Sequence, residues 1–388
     1  MMNSMKKAKI LLIMILLLTA GCQNVQASAA RQAAQEPAAP QLTTSTATPE
    51  VEAEVQPTAI QQRNPLTGQM VDENQLQRMP VMVKVSNFPR EGRPHAGLSF
   101  ADIVFDYYIG FGTNRFLAVY YGADSPQIGP VRSGRLVDAE LVLLYNGILG
   151  YGSADEDTDA FLMQALGERA ISYQEAPCPA FCGTDTHSVL GVFAGSADIT
   201  HFAQANSIDS GSVPALDGMH FDEVIPRDGT PVDQINILFN FYNRAEWKYD
   251  TASGSYLRWI EEMEDEEEEN GSFQMVPLLD RVTGEQLAFQ NVIVLFTHYT
   301  ENAPSEHEID IMKNIEGKRA VFYRNGYMFE GTWKVSDDRA PIQFFDQNGS
   351  PFQLKPGNSW IVLADENSIF NRKQSGAWEL FFLLSPDA

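Results

Sequence analysis

Short segments in which apolar and polar residues alternate are the strongest constraint on the fold of this chain. Alternation puts one face of a segment toward a core, as in a β-strand. It appears in residues 80–87, residues 101–109 and 115–122 are further β-rich runs, and strand-like segments recur in a longer series after about residue 212. In that series, Asn325-Gly326 and Asn348-Gly349 lie between alternating runs, which predicts hairpins. The later half is therefore predicted to be a mainly antiparallel β domain.

The earlier half is predicted to mix helices and strands. Residues 136–152 carry apolar residues at mixed spacing, which indicates a helix followed by a short strand, and residues 158–208 are predicted to be mainly helical and irregular. Proline and glycine accumulate between about residues 212 and 230. We therefore expect an α/β (α+β) N-terminal domain over residues 63–212 and a β-rich C-terminal domain over residues 213–388.

The first 21 residues have the pattern of a secretory signal peptide. Three lysines precede a short apolar stretch, residues 10–18, and Thr19-Ala20-Gly21 leads into Cys22. Small residues before that cysteine indicate a bacterial lipobox, in which Cys22 is lipidated with a palmitate-type acyl anchor. The alternative is an ordinary secreted protein with an unmodified cysteine. The predicted location is extracytoplasmic, on the bacterial membrane of the cell envelope, with Cys22 as the membrane contact.

Residues 22–62 contain the lipidated cysteine and a predicted disordered tether. Alanine, glutamine, proline, threonine and glutamate dominate, and few large apolar residues are present to form a core. The whole chain has a net charge of −24 from 27 basic and 51 acidic residues. Removal of Lys6, Lys7 and Lys9 with the signal peptide makes this −27. Such acidity argues against nucleic acid as a partner, because phosphates require a basic surface.

Two further cysteines, Cys178 and Cys182, lie four residues apart. In an oxidising compartment this spacing indicates a disulfide. The alternative is a metal site in which Asp185 and His187 complete the ligand set, although the spacing matches no standard zinc finger. We predict the disulfide, with no resident metal and no cofactor.

Four arginines form the main candidate for a functional site. Arg132 and Arg135 follow the stiff Gly129-Pro130 turn, Arg115 begins a predicted strand, and Arg93 lies in an earlier loop. Guanidinium groups bind phosphate or carboxylate through paired hydrogen bonds, so convergence of these residues predicts an anion or partner site. The alternative is a structural ion-pair cluster with Asp102, Asp106 or Asp138.

Other polar motifs favour structural roles. The acidic run of residues 261–269 is typical of a solvated loop, with a weak calcium site as the alternative. The spacing of Asp155, Asp157 and Asp159 is that of the first three ligands of an EF-hand calcium loop. Ala160 and Leu166 stand where that loop requires glycine and glutamate, so we favour helix capping instead. No nucleophile elbow or catalytic cysteine–histidine spacing is present. We predict no catalytic residue.

Several motifs occur in the order seen in one family. Residues 64–69 (NPLTGQ), 92–108 (GRPHAGLSFADIVFDYY), 128–135 (IGPVRSGR), 249–259 and 354–363 give the chain a specific likeness from about residue 63 to 385. It resembles the YerB-like lipoproteins, which pair an N-terminal domain of unknown function with a C-terminal companion domain. The resemblance implies an envelope lipoprotein whose biochemical role is unassigned.

Three functional hypotheses follow. The first is a non-catalytic, lipid-anchored binding or scaffold protein with protein or cell-envelope partners. The second is an enzyme acting on a polyprenyl pyrophosphate-linked polymer, because the arginine pattern is similar to that of LytR-CpsA-Psr phosphotransferases; Asp102 or Asp106 would then hold a metal. Ser133 stands where that family has aspartate. The third is a glycan-binding module that uses exposed aromatic residues Trp247, Trp259 and Trp333.

Overall fold

A computed structural model describes residues 60–184, 190–263, 273–336 and 340–385 of the chain. Its α-helices over this part are α1 (Leu136–Leu144), α2 (Glu156–Leu166) and α3 (Ser196–Ala205). The strands before residue 212 are β1 (Gln61–Arg63), β2 (Met70–Asp72), β3 (Val81–Ser86), β4 (Ile103–Gly110), β5 (Thr113–Tyr120), β6 (Ile148–Tyr151), β7 (Ala170–Ser172), β8 (Phe181–Gly183) and β9 (Val192–Ala194).

Strands dominate the rest of the described chain. They are β10 (His220–Phe221), β11 (Thr230–Pro231), β12 (Gln234–Asn240), β13 (Asn243–Asp250), β14 (Ser255–Glu262), β15 (Gln274–Pro277), β16 (Ala288–Phe289), β17 (Asn291–Thr297), β18 (Tyr299–Ala303), β19 (Glu306–Ile309), β20 (Lys318–Arg324), β21 (Tyr327–Lys334), β22 (Gln343–Asp346), β23 (Gln353–Leu354), β24 (Ser359–Asp365), β25 (Ile369–Gln374) and β26 (Ala377–Phe381). The prediction of an α+β half followed by a β-rich half is confirmed.

One eleven-stranded sheet contains strands from both halves of the sequence. Its order is β11-β21-β20-β17-β24-β4-β5-β3-β6-β7, and β22 pairs with β21. The junction is a parallel pair between β24 and β4, in which Val362 lies opposite Asp106. A second, seven-stranded sheet has the order β15-β14-β13-β12-β26-β25, with β16 beside β14. The domain boundary near residue 212 stays a prediction, and the main sheet runs across it.

Aromatic rings fill the space between the two sheets. Trp247 of β13 lies 5.2 Å from Trp360 of β24, and Trp360 lies 4.9 Å from Phe116 of β5, measured between ring centroids. All three side chains are fully buried. This contact explains why the alternating segments of both halves bury apolar residues, because each sheet supplies one wall of a shared core.

Local sequence signals explain a hairpin turn of the main sheet and the start of α2. Asn325 and Gly326 both have positive φ between β20 and β21, as a tight hairpin requires. Asp155 precedes α2, and its carboxylate accepts a hydrogen bond from the Thr158 backbone N–H at 3.0 Å. This is the capping role favoured by the sequence.

Candidate functional site

The candidate site lies on one face of three neighbouring strands. Arg115 of β5 stands directly opposite Ser86 of β3 and Tyr107 of β4. Directly opposite residues point to the same face of a sheet, and successive residues along a strand point to alternate faces. Lys84, two residues before Ser86, therefore shares the face of Arg115 and Tyr107. This is the face on which α1 packs.

Beneath Arg115, three fully buried polar side chains form a cluster that we call the lysine triad, Lys84, Tyr107 and Asp138. Lys84 Nζ donates to Asp138 Oδ1 at 3.1 Å and also contacts the Tyr107 hydroxyl. That hydroxyl donates to the same carboxylate oxygen. Burial lowers the pKa of Lys84 to about 7, against the opposing attraction of Asp138. Burial and Asp138 raise the pKa of Tyr107 well above its ordinary value, so it stays a neutral donor.

The chain segment that carries Arg132 and Arg135 is held between β3 and the end of β6. The Arg132 backbone N–H donates to the Lys84 carbonyl at 2.9 Å, and the Arg132 carbonyl accepts from the Gly152 N–H at 2.9 Å. Asp138 then caps the start of α1 by accepting from the Arg135 N–H at 2.7 Å. The backbone of both arginines is thus fixed against the strand and helix that carry the lysine triad.

Arg115 and Arg135 lie close to this triad, and Arg132 lies close to Arg115. We call these three residues the arginine cluster. The Arg115 guanidinium donates to the Ser133 carbonyl at 2.9 Å, and that of Arg135 donates to the Gly134 carbonyl at 2.7 Å. Neither forms an ion pair with a carboxylate in the part of the chain that the structure describes. Burial, followed by the positive charges of Arg135 and Arg132, lowers the pKa of Arg115 well below its ordinary value. Like charges therefore accumulate around a guanidinium that is only 8% exposed.

Arg93 does not join the arginine cluster. Its Nη2 donates to the carboxylate of buried Glu261 at 3.0 Å, and its Nε donates to the Asn87 carbonyl at 3.1 Å. Asn87 in turn donates to Asn114, the neighbour of Arg115 on β5. Because consecutive strand residues face opposite ways, Arg93 lies across the sheet from Arg115. Of the four arginines predicted to converge, the structure brings three together.

The opposite face of the sheet contains a separate buried ion pair between the two halves of the chain. Arg258 of β14 lies 3.5 Å from the carboxylate of Asp106 on β4, and both side chains are buried. Asp106 also accepts from the Trp360 indole N–H at 3.1 Å and from the Asn114 amide. The Arg258 guanidinium stacks over Trp360, 4.1 Å from the ring centroid. Burial lowers the pKa of Arg258 to about 10 and raises that of Asp106.

Asp102 has a third, separate environment. Its carboxylate accepts from the Asn64 amide at 2.7 Å, the Tyr121 N–H at 2.6 Å and the Gly122 N–H at 3.0 Å. Burial raises the pKa of Asp102 to about 6 in spite of these donors. Asn64 begins the NPLTGQ motif, so this motif positions the carboxylate at the entry to β4.

Asp102 and Asp106, which would hold a metal if the protein were a phosphotransferase, do not form a metal site. The oxygens of Asp102 and Asp106 are occupied by the protein donors described above, and Asp106 lies on the face away from the arginine cluster. Over the described ranges, no three or more histidine, cysteine or acidic side chains are placed so that they could hold a metal ion together. The residues present therefore do not fit a metal held by Asp102 or Asp106 beside the arginines.

Cys178 and Cys182 are joined by a disulfide, with an Sγ–Sγ distance of 2.02 Å. The alternative metal ligands Asp185 and His187 lie outside the described residues, as do Cys22, the signal peptide and the tether up to residue 59. Most of the acidic run of residues 261–269 also lies outside them; its first residue, Glu261, is buried against Arg90 and Arg93.

The hypothesis of a glycan surface built on exposed tryptophans is wrong for two of its three residues. Trp247 and Trp333 are 0% exposed and belong to the core. Trp259 is half-buried, and Lys248 Nζ lies 4.1 Å from its ring centroid. The physical reason is that the tryptophans fill space on packed faces of the sheets, where large rings contribute most burial.

Sequence reasoning missed the residues beneath the arginines. Lys84 interrupts an otherwise apolar strand, residues 81–85, and this interruption was the available signal for a buried charge. Arg258 lies in a strand rich in aromatic residues, Tyr256–Ile260, and gave a similar signal. Neither partner could be identified from local sequence, because Lys84 and Asp138 are 54 positions apart and Asp106 and Arg258 are 152 apart.

The fold and the site define a two-sheet α+β protein with a buried cationic cluster at the start of α1. In the part of the chain that the structure describes, no helix has the length and apolar character needed to cross a bilayer.

The chain belongs to the DUF3048 family of proteins of unknown function. Its residues 66–189 match the model of the DUF3048 N-terminal domain, and residues 235–361 match that of the DUF3048 C-terminal domain.

Two comparisons with individual proteins agree with this membership. The chain is 27% identical over 327 residues to the protein named "Putative lipoprotein YerB" of Bacillus subtilis (strain 168), covering 80% of this chain and 88% of that protein. The crystal structure of the YerB protein from Bacillus subtilis has a similar fold, with a TM-score of 0.63 and 22% identity. That alignment covers 78% of this chain and 96% of the other. The relative's name agrees with the prediction that this chain is a lipoprotein.

Proposed function

We propose that this protein is an extracytoplasmic, lipid-anchored binding protein of the bacterial cell envelope whose arginine cluster holds a phosphate-bearing anion of its partner. The observation that carries the proposal is the environment of Arg115. Its guanidinium is nearly buried, has no carboxylate partner in the described chain, and lies close to two further cations. Burying a charge without a counter-charge is costly, and a bound anion would remove that cost.

The charges of the site favour a phosphate group over a single carboxylate. The carboxylate of Asp138 is already matched by Lys84, and within the described residues neither Arg115 nor Arg135 forms an ion pair with a carboxylate. Asp155, at the start of α2, attracts Arg135 but is largely exposed. Guanidinium groups bind tetrahedral oxyanions through paired hydrogen bonds, and a diphosphate offers enough oxygens and charge for all three. We therefore take inorganic pyrophosphate as the probe.

Isothermal titration with pyrophosphate tests the proposal. We expect the Arg132→Ala/Arg135→Ala variant to bind about 100-fold or more weakly than the wild type, because each charge-assisted hydrogen bond contributes about 1.5–3 kcal/mol. The matched control is Arg319→Ala/Arg372→Ala, which makes the same change in net charge at two exposed arginines.

The control variant should bind as the wild type does. Equal affinity in the site variant and the wild type would contradict the proposal, and so would the absence of binding to the wild type at millimolar pyrophosphate.

A further inference from the structure

Two exposed phenylalanines lie on neighbouring hairpin turns, at the end of β4 opposite to Asp102. Phe111 lies between β4 and β5 and is 68% exposed, and Phe241 lies between β12 and β13 and is 45% exposed. We call these two side chains the aromatic tip. One comes from each half of the chain, so this surface exists only when the halves are assembled.

The aromatic tip is held rigidly. The Tyr242 hydroxyl donates to the Phe111 carbonyl at 2.6 Å, and the Asn243 amide donates to the Gly112 carbonyl at 2.9 Å. Gly112 has a φ of 70°, in the left-handed region that favours glycine, and an added Cβ there would come within 2.2 Å of the Asn240 amide nitrogen. The two turns therefore form one unit that presents both rings to solvent at little cost in entropy on binding.

The backbone conformation at position 111 is unfavourable for a bulky residue such as phenylalanine. Its φ is 50°, in the left-handed region where bulky residues are rare outliers. Glycine would adopt this conformation without strain, and the side chain of Phe111 gains little from burial at this position. An exposed aromatic residue that is kept at a strained position indicates a role for the ring itself, outside the fold.

Carboxylates lie on the hairpin that borders the Phe111 side of the aromatic tip, whereas at the other turn the Arg244 guanidinium donates to the Phe241 carbonyl at 2.6 Å. The turn between β18 and β19 packs against Gly110, where an added Cβ would come within 2.0 Å of the Pro304 carbonyl oxygen. This hairpin carries Glu301, Glu306 and Glu308, and the Asn302 amide bridges the last two at 3.3 and 3.2 Å. An anionic lipid surface or a second copy of this acidic chain would be repelled there. A partner with cationic groups would be attracted.

We propose that the aromatic tip is a docking site for a protein partner that receives Phe111 and Phe241 in an apolar pocket bordered by lysine or arginine side chains. Buried aromatic anchors with a charged rim are the usual source of binding energy and specificity in such interfaces. The site is separate from the arginine cluster and does not depend on the anion proposal.

Site-specific photo-crosslinking tests this proposal in cells that make the full chain. A benzophenone amino acid replaces Phe111 in one strain and Phe161, an exposed residue of α2, in a control strain. We expect position 111 to capture one protein that position 161 does not. Captured lipid, a captured second copy of the chain, or no captured species would overturn the proposal.

Capture alone is not sufficient, so the captured protein is purified and its affinity is measured. Phe111→Gly and Phe241→Ser should each weaken binding at least tenfold, and Glu306→Gln/Glu308→Gln should reduce the salt dependence of binding. The Tm of Phe111→Gly should not fall, since glycine relieves the backbone. Unchanged affinity in Phe111→Gly, or a lower Tm that accounts for the lost binding, would show that Phe111 has a structural role and would overturn the proposal.

Discussion

Replacement of Arg258 by methionine is expected to destabilise the folded protein by about 3–5 kcal/mol. The change leaves the buried carboxylate of Asp106 without its positive partner, although Trp360 and Asn114 still donate to it. Arg258 and Asp106 belong to the two halves of the chain, and the guanidinium also stacks between aromatic rings of the shared core. The loss should therefore weaken the contact between the two sheets. Urea unfolding measures the difference in free energy.

A double variant separates the ion pair from simple packing. Asp106→Asn/Arg258→Met removes both charges, so it should be clearly more stable than Arg258→Met alone, because no unpaired buried charge remains. Arg319→Met is the control: Arg319 pairs with Glu330 at the surface, and its loss should cost about 1 kcal/mol or less. Additive effects of the two substitutions at residues 106 and 258 would show that their pairing is unimportant.

The second large effect is expected at Lys84. Lys84→Met leaves the carboxylate of Asp138 buried without its cation, and among the described residues the Tyr107 hydroxyl and the Arg135 N–H still donate to it. We expect a loss of about 3–5 kcal/mol near neutral pH, as for other broken buried pairs. Lys248→Met is the control, since Lys248 pairs with Glu246 at a partly exposed position, and its loss should cost about 1 kcal/mol or less.

Lys84→Met is also expected to change the pH dependence of the free energy of unfolding. Burial lowers the pKa of Lys84 to about 7 in the folded protein, whereas an unperturbed lysine titrates near 10.5. Between these values the unfolded chain binds the proton that the folded protein has lost, so the contribution of Lys84 to stability rises with pH. The free energy of unfolding, wild type minus Lys84→Met, should therefore increase between pH 7 and pH 9. A constant difference over this range would contradict the low pKa of Lys84.

The strands could be predicted from sequence because enrichment in β-branched and aromatic residues is a local property. Residues 80–87, 101–109 and 115–122 match β3, β4 and β5 closely, and Asp155 caps α2 as its position before the helix suggested. The parallel junction of β24 with β4 could not be predicted. Its partners are about 250 residues apart, and no local pattern specifies which strand lies beside another.

Part of the candidate site could also be predicted, because some of its residues lie in local sequence patterns. The GPVRSGR turn indicated Arg132 and Arg135, and the strand pattern placed Arg115 near them. The strand pattern also contained the reason for excluding Arg93. Arg93 contacts Asn87, which donates to Asn114, and these two asparagines are the chain neighbours of Ser86 and Arg115, so they face the other side of the sheet. Assigning that face required knowledge of the paired strands.

The central claim is that the arginine cluster binds a phosphate-like anion, and anomalous diffraction from crystals grown with tungstate tests it most directly. Tungstate is a tetrahedral dianion whose metal atom is located unambiguously. We predict an anomalous peak whose oxygens lie within hydrogen-bond distance of the Arg115, Arg132 and Arg135 guanidinium groups. Tungstate bound elsewhere, with the arginine cluster empty, would contradict the account.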